Sequence, residues 1–277
     1  MQPNNPWVHK RSAGIADDID FEVKGYELQF VEIDLDPGES AVAEAGAMIW
    51  KDASIEMTTV FGDGSQASDN NFMGKLLGAG KRLLTGESLF TTVFTHHGTG
   101  KACVAFAAPT PGMVQPLRLS DYGGRIICQK DSFLAAAKGV SIGIEFQKRI
   151  MTGLFGGEGF IMQRLDGDGW VFLQMGGSLV ERELKPGEEL HIDTGCLAAY
   201  TPDVSFDLIR AGNVRSILFG GEGLFLARLR GPGHVWIQSL PFSRLAGRIL
   251  AASGSNGGQN RGEGSALGVI GDMIGGD

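Results

Sequence analysis

Apolar and polar residues alternate at period two in Val140-Ser141-Ile142-Gly143-Ile144-Glu145-Phe146, in Val204-Ser205-Phe206-Asp207-Leu208 and in Tyr26-Glu27-Leu28-Gln29-Phe30. Each stretch offers one face to a core and the other to water, as half-buried antiparallel strands do. A second kind of stretch is apolar throughout and closes on glutamine: Trp170-Val171-Phe172-Leu173-Gln174 and Val235-Trp236-Ile237-Gln238. These read as strands buried on both faces. Each follows turn residues, Asp166-Gly167-Asp168-Gly169 and Gly231-Pro232-Gly233. Ala102-Cys103-Val104-Ala105-Phe106, after Gly98-Thr99-Gly100, matches them without Trp or Gln, so the pattern does not require the glutamine.

Two stretches depart from the strand pattern. In residues 72–84 apolar pairs recur every three to four positions around Lys75, Lys81 and Arg82, which predicts a short basic helix packed across a sheet end. Ala252–Gly264 is rich in Gly, Ser and Asn, like a flexible linker. Beyond it, Leu267, Ile270, Met273 and Ile274 fall at helical spacing and read either as a tethered partner-docking motif or as a frayed end.

One phrase is written three times: Leu84-Thr85-Gly86-Glu87-Ser88-Leu89-Phe90, Phe155-Gly156-Gly157-Glu158-Gly159-Phe160 and Phe219-Gly220-Gly221-Glu222-Gly223-Leu224-Phe225. The copies lie roughly 65 to 70 residues apart, enough for a small β module and too much for a helical solenoid turn. A second phrase recurs out of phase, Leu35-Asp36-Pro37-Gly38-Glu39 and Leu184-Lys185-Pro186-Gly187-Glu188, with a degraded form at Leu119–Gly124. Both are Pro-Gly turns between extended runs. The expected fold is therefore all-β, with three modules over 24–245: about 84–148, about 150–210, and 215–240 completed by 26–60. An N-terminal arm, 1–23, precedes them and a Gly-rich tail, 246–277, follows. In this reading the chain ends meet and close the assembly, so that the strand around Leu28–Leu35 packs with those around Leu224–Gln238 and no strand edge is left exposed.

Glycine makes up 43 of 277 residues, roughly twice its usual share, as many tight β connections require. Cys103, Cys128 and Cys196 form no C-x-x-C pair and read as reduced core residues of a cytoplasmic protein. The N-terminus lacks a basic segment followed by an apolar one, and no apolar run reaches the roughly 20 residues of a membrane helix. Twenty-four basic against 32 acidic residues leave a net charge of −8. That balance disfavours a nucleic-acid track, which needs a basic face.

Candidate chemistry is sparse. Gly74–Lys81 imitates a phosphate loop, but Lys75 stands where glycine is required and Arg82 where a hydroxyl is required. No dinucleotide fingerprint and no nucleophile elbow occurs. His96-His97 falls at a turn, and His191 and His234 are isolated in sequence; neither a metal nor a catalytic set is expected. Glu87, Glu158 and Glu222 are the most provocative group, since similar modules would set them at equivalent points. A glutamate in a Gly-rich turn more often accepts backbone hydrogen bonds or pairs with a nearby arginine such as Arg82 or Arg215.

Arg82 with Leu84–Phe90, the two later Gly-Gly-Glu-Gly phrases and Asp193-Thr194-Gly195-Cys196-Leu197-Ala198-Ala199 together resemble the altered inheritance of mitochondria protein 24 family over about residues 24–245. The resemblance implies a fold similar to the tryptophan RNA-binding attenuator protein, three such modules per chain and a tendency to associate in rings. Eukaryotic relatives are linked to mitochondrial inner-membrane organisation. The family supplies no agreed catalytic residues, so none are assigned.

The expected function is a non-enzymatic scaffold or protein-interaction module without a cofactor. Its expected partners are further copies of the chain, a trimer among the forms considered, and a protein the sequence does not identify. A small-ligand or metal-binding module is the alternative, RNA binding by fold analogy the second, and a membrane surface a weaker partner.

Overall fold

The computed structural model describes residues 16–61, 90–148, 160–210 and 225–253. The first stretch forms β1 (Asp20–Lys24), β2 (Phe30–Leu35), β3 (Ser40–Glu44), β4 (Met48–Lys51) and β5 (Ile55–Phe61). The second forms β6 (Phe90–His96), β7 (Ala102–Ala107), β8 (Gly112–Arg118), β9 (Arg125–Gln129), β10 (Phe133–Ala137) and β11 (Ser141–Lys148). The third forms β12 (Phe160–Asp166), β13 (Trp170–Gly176), β14 (Leu179–Leu184), β15 (Glu189–Asp193), β16 (Leu197–Tyr200) and β17 (Ser205–Arg210). Then come β18 (Phe225–Arg230), β19 (Gly233–Gln238) and helix α1 (Phe242–Ser253).

The strands make four antiparallel sheets, ordered β1-β2-β7-β4, β5-β6-β3-β10-β13-β8, β11-β12-β9-β16-β19-β14 and β15-β18-β17. A single pattern underlies them. The triplet β2-β7-β4 in the first sheet recurs as β8-β13-β10 in the second and β14-β19-β16 in the third. The triplet β5-β6-β3 of the second sheet recurs as β11-β12-β9 in the third and β17-β18-β15 in the fourth. Each run of six strands thus gives three to one sheet and three to the next. The two middle sheets are composites, sewn by β3 to β10 and by β9 to β16.

Local geometry repeats with the topology. The ladder slips by one residue at Met48/Trp50, at Phe133/Ala135 and at Leu197/Ala199, a bulge in the same place each time. The second phrase forms its turns as expected, with Gly38 at φ 90° and Gly187 at φ 80°, conformations that favour glycine. Each turn accepts a bond from the hairpin across from it: His96 N–H to Glu39 O, Gly167 N–H to Gly124 O and Gly231 N–H to Glu188 O, all 3.0 Å.

Three hydrophobic cores separate the sheets. The first holds Ile33, Leu35, Phe94, Phe106, Trp170 and Phe172, from sheets one and two. The second holds Val42, Val171, Leu173, Ile126, Leu165 and Trp236, from sheets two and three. Phe160, Met162, Leu197, Ala227, Leu229 and Val235, from sheets three and four, form the third. Neighbouring residues of β13 point into different cores, which explains an apolar run without alternation. Small residues on β3, β10 and β16 let the composite sheets pack on both sides.

Three expectations need correction. The chain ends do not meet among the described residues: β2 pairs with β1 and β7 in sheet one, while β18 and β19 lie in sheets four and three. The physical reason is that β7, which lacks the Trp and the Gln, already supplies the partner that β2 needs. Tyr26–Gln29 is not part of a strand; Gly25 turns the chain at φ 90°, Tyr26 is 89% exposed, and β2 begins at Phe30. A short helix is expected in the tail around residues 267–274; the helix among the described residues, α1, lies earlier, starting at Phe242 within the stretch given to the modules, and Phe242, Leu245, Ala246 and Ile249 give it an apolar stripe at helical spacing. No helix of the described residues is long and apolar enough to cross a membrane. The 72–84 segment lies outside those residues.

Candidate functional site

The Gly-Glu part of each phrase, with Glu87, Glu158 and Glu222, lies outside the described residues, which resume at the closing Phe90, Phe160 and Phe225. The strands flanking each segment are described, and they are paired up to the point where it begins. The closing pairs are Phe61 with Phe90, Lys148 with Phe160 and Arg210 with Phe225. The next strand over ends there too: Glu44 lies opposite Thr91, Gln129 opposite Met162 and Asp193 beside Leu226.

These strand ends form one polar end of the stack. The Gln174 Nε2 donates to Asp131 O at 2.6 Å, and the Gln238 Nε2 donates to Gly195 O at 2.9 Å. Gln238 Oε1 also accepts from Gly176 N–H at 2.9 Å, while its Nε2 reaches Gln129 Oε1 at 3.5 Å. The two glutamines that close the apolar runs therefore hold the turns that precede the bulges. At the matching position the first set has Ala107, which has no side-chain amide; its N–H donates to Ala47 O at 2.9 Å.

Glu44 is the outstanding titratable group at this end. Burial first, and then repulsion from Asp131, push its carboxyl up from 4.5 to about 7, with Lys130 opposing. Its field in turn helps to raise the Cys128 thiol, after burial, and so ties β3 of the second sheet to β9 of the third. The carboxyl thus sits, partly buried, between a like charge at Asp131 and an opposite one at Lys130. Sequence reasoning missed it because Glu44 belongs to neither repeated phrase; its position one strand away from the first Gly-Glu segment is visible only through pairing.

Removing the Gln238 amide would strand the Gly176 N–H and the Gly195 carbonyl. Gln238→Ala is therefore expected to cost about 2 kcal/mol, measured by denaturant unfolding. A loss within experimental error would show that water serves those two groups equally well.

The family model for mitochondrial biogenesis AIM24 matches residues 21–240. The chain belongs to the AIM24 family. An uncharacterised protein of Streptococcus pyogenes serotype M6 is 30% identical over 247 residues, covering 87% of this chain and 94% of the relative. A crystal structure of another Streptococcus pyogenes protein matches with a TM-score of 0.67 and 25% identity, over 84% of this chain and 99% of that one. The AIM24 match runs from β1 to just past β19, so all four sheets fall inside it.

Elsewhere in this AIM24-family chain the remaining candidates separate. His96 is buried and braces its own turn, with Nε2 2.9 Å from Gly100 O and Nδ1 accepting from Gly98 N–H. His97, His191 and His234 each face a different acid, Glu56, Glu189 and Glu181. Among the described residues no group of three or more His, Cys, Asp or Glu is placed to hold a metal. Of the cysteines only Cys128 is fully buried; Cys103 and Cys196 are half-buried, which corrects the expectation of three core thiols. Burial and the neighbouring Asp34 push Cys103 up to about 12, so it is a poor nucleophile at neutral pH.

A second polar cluster fastens the start of the described chain. Ala16 N–H donates to Asp168 Oδ1, Ser40 N–H donates to Asp17 Oδ2, and Arg118 lies over the Trp170 ring within 3.8 Å of Asp18. The space between them has room for about one water molecule. It is a clamp across the edge of the first core and not a substrate site. Leu267, Ile270, Met273 and Ile274 lie outside the described residues.

Proposed function

We propose that the protein is a non-enzymatic, self-associating scaffold acting in the cytoplasm, which engages a protein partner through the polar end of its β stack. The observation that supports this most directly is that the three strand pairs flanking the Gly-Glu phrases, closing at Phe61 with Phe90, Lys148 with Phe160 and Arg210 with Phe225, all end at that one end of the stack. The recurring triplets, bulges and turns are read as three copies of one module similar to the tryptophan RNA-binding attenuator protein. A deeply cored stack whose strand ends bring three like sequence phrases to one end suits multipoint contact with one partner. RNA fits less well, since Asp20, Glu22, Glu32 and Asp34 occupy the outward-facing positions of the first sheet.

The test is quantitative co-purification from the source cells. The wild-type chain is compared with the triple variant Glu87→Gln, Glu158→Gln, Glu222→Gln and with a chain ending at Ser253. At least a tenfold loss of one recovered protein in the triple variant, with the melting temperature unchanged, is expected. An identical set of recovered proteins in all three samples would sink the proposal for the polar end and for the tail together.

A further inference from the structure

Two buried polar side chains at the polar end of the second core carry an oxygen without a partner. Gln163 on β12 is 3% exposed and its Oε1 has no hydrogen bond; Ser132, in the turn Lys130–Ser132 before β10, is 1% exposed and its Oγ is unmatched as well. Buried oxygens are rarely left so. Both border the second core. Cys128 points into it, and Gln163 stands directly opposite Cys128 in the β9–β12 ladder, hence on the same face. Ala47 and Cys196 hold the place of Ser132 before β4 and β16, and they pack on the first and third cores, so Ser132 corresponds to the second. Strand β12 itself packs on the turn.

Glu44 adds a carboxyl beside them. Val42 points into the second core, so Glu44, two residues further along β3, lies on that side too. Ala43 pairs with Ala135, which sets Glu44 next to the start of β10 and so to the turn that carries Ser132. Among the described residues nothing donates a hydrogen bond to its carboxyl. Ala45 and Gly46, the next residues, are exposed, so the group can be approached from solvent. Sheet two thus contributes a carboxyl and a hydroxyl, and sheet three an amide oxygen, all unused.

We propose that Glu44, Ser132 and Gln163 form a binding site for a small alkylammonium ion, whose three N–H donors match the carboxylate, the hydroxyl and the amide oxygen. One carboxylate with two neutral oxygens suits a single positive charge. A divalent metal fits less well, since among the described residues no group of three or more His, Cys, Asp or Glu stands here. The charged and titratable groups around Glu44 are Asp131 and Lys130 in the turn and Cys128 on β9; Thr91, opposite it on β6, is neutral. An incoming cation relieves the repulsion between Glu44 and Asp131, while Lys130 opposes it. Only the ionised carboxyl binds the ion. With the Glu44 carboxyl pushed up to about 7, the apparent affinity follows the ionised fraction and falls about tenfold from pH 8 to pH 6. The site needs no contact with another protein, so it goes beyond the scaffold reading and stands or falls apart from it.

Titration calorimetry with methylammonium chloride tests this on the full chain, with sodium chloride holding the ionic strength constant. Saturable binding is expected at pH 8 and about tenfold weaker binding at pH 6. Tetramethylammonium has the charge but no N–H, and is expected to give none. Glu44→Gln and Gln163→Leu are each expected to lose about tenfold or more in affinity at pH 8. The pH series and the tetramethylammonium control use the wild-type chain, so they do not depend on a variant keeping its fold. No saturable heat from methylammonium at pH 8 means that water alone serves the two buried oxygens, and overturns the proposal. Equal binding of tetramethylammonium, equal affinity at pH 6 and pH 8, or undiminished binding by Glu44→Gln overturns it too. Potassium chloride binding more tightly than methylammonium would assign the oxygens to a metal ion and overturn the alkylammonium site.

Discussion

Trp236→Ala is expected to lower stability by about 3–5 kcal/mol, the cost of a large cavity in a close-packed interior, and to lower the melting temperature by roughly 10 °C. Trp236 is fully buried on β19, a strand flanked by β16 and β14 in a composite sheet. Its ring packs edge-on against Tyr122 at 5.3 Å and is stacked with His234 at 5.9 Å. Neither neighbour can fill the volume, because both belong to strands or turns pinned by pairing. Trp236→Phe separates shape from chemistry. The indole Nε1 has no hydrogen-bond partner, so phenylalanine removes an unsatisfied donor while keeping much of the apolar contact, and is expected to cost under about 1.5 kcal/mol. The check is a denaturant titration of all three proteins. Equal losses for Ala and Phe would mean that the indole nitrogen, and not the ring volume, holds the second core together.

Glu44→Gln is expected to change the pH dependence of stability. The folded-state pKa of Glu44 stands at about 7 against an ordinary 4.5, so between those values the native protein holds a proton that the unfolded chain releases. Stability from the protonated carboxyl is thus fully present below about pH 4.5 and is lost as pH rises toward 7. A difference of that size corresponds to about 3 kcal/mol. Glutamine keeps the shape and cannot ionise, so the variant should match wild type near pH 4 and exceed it by about 3 kcal/mol at pH 8. Asp131→Asn, which removes the repelling charge, is expected to make the wild-type decline smaller and to end it at lower pH. Denaturant midpoints at pH 4, 6 and 8 decide the matter. Parallel curves for wild type and Glu44→Gln would show that the carboxyl is solvated and titrates normally.

The strands were legible where one face meets water. β11 and β17 alternate because each is an outer strand, with only one core to serve. β13 and β19 were legible for the opposite reason, since two cores demand unbroken apolar runs. The Pro-Gly turns were legible from residue chemistry, as Gly38 and Gly187 confirm. What failed was the partnering. Antiparallel ladders join residues distant along the chain, and an apolar pattern says that a strand has a partner without saying which. The choice of β7 for β2 rests on edge-to-edge fit, and Ala102–Ala107 looked like a weak member of its class because it lacks Trp and Gln. Helix α1 was hidden by the glycines and serines that follow it, although Phe242, Leu245, Ala246 and Ile249 carried the helical period. Of the candidate site, the phrase was visible and the polar end was not. Glu44, Gln174 and Gln238 come together only through register, and the carboxyl acquires its high pKa from burial that no local sequence records.

The sharing of each middle sheet between two six-strand runs has a consequence for how the molecule comes apart. In an array of separate domains each member melts at its own temperature. Here, losing β8, β10 and β13 would remove half of the second sheet and expose β3, while the first core would lose Trp170 and Phe172. No run can open without spoiling the one beside it. Heat or denaturant should therefore take the described β region through one cooperative transition, its calorimetric and van't Hoff enthalpies equal, despite a sequence written in thirds.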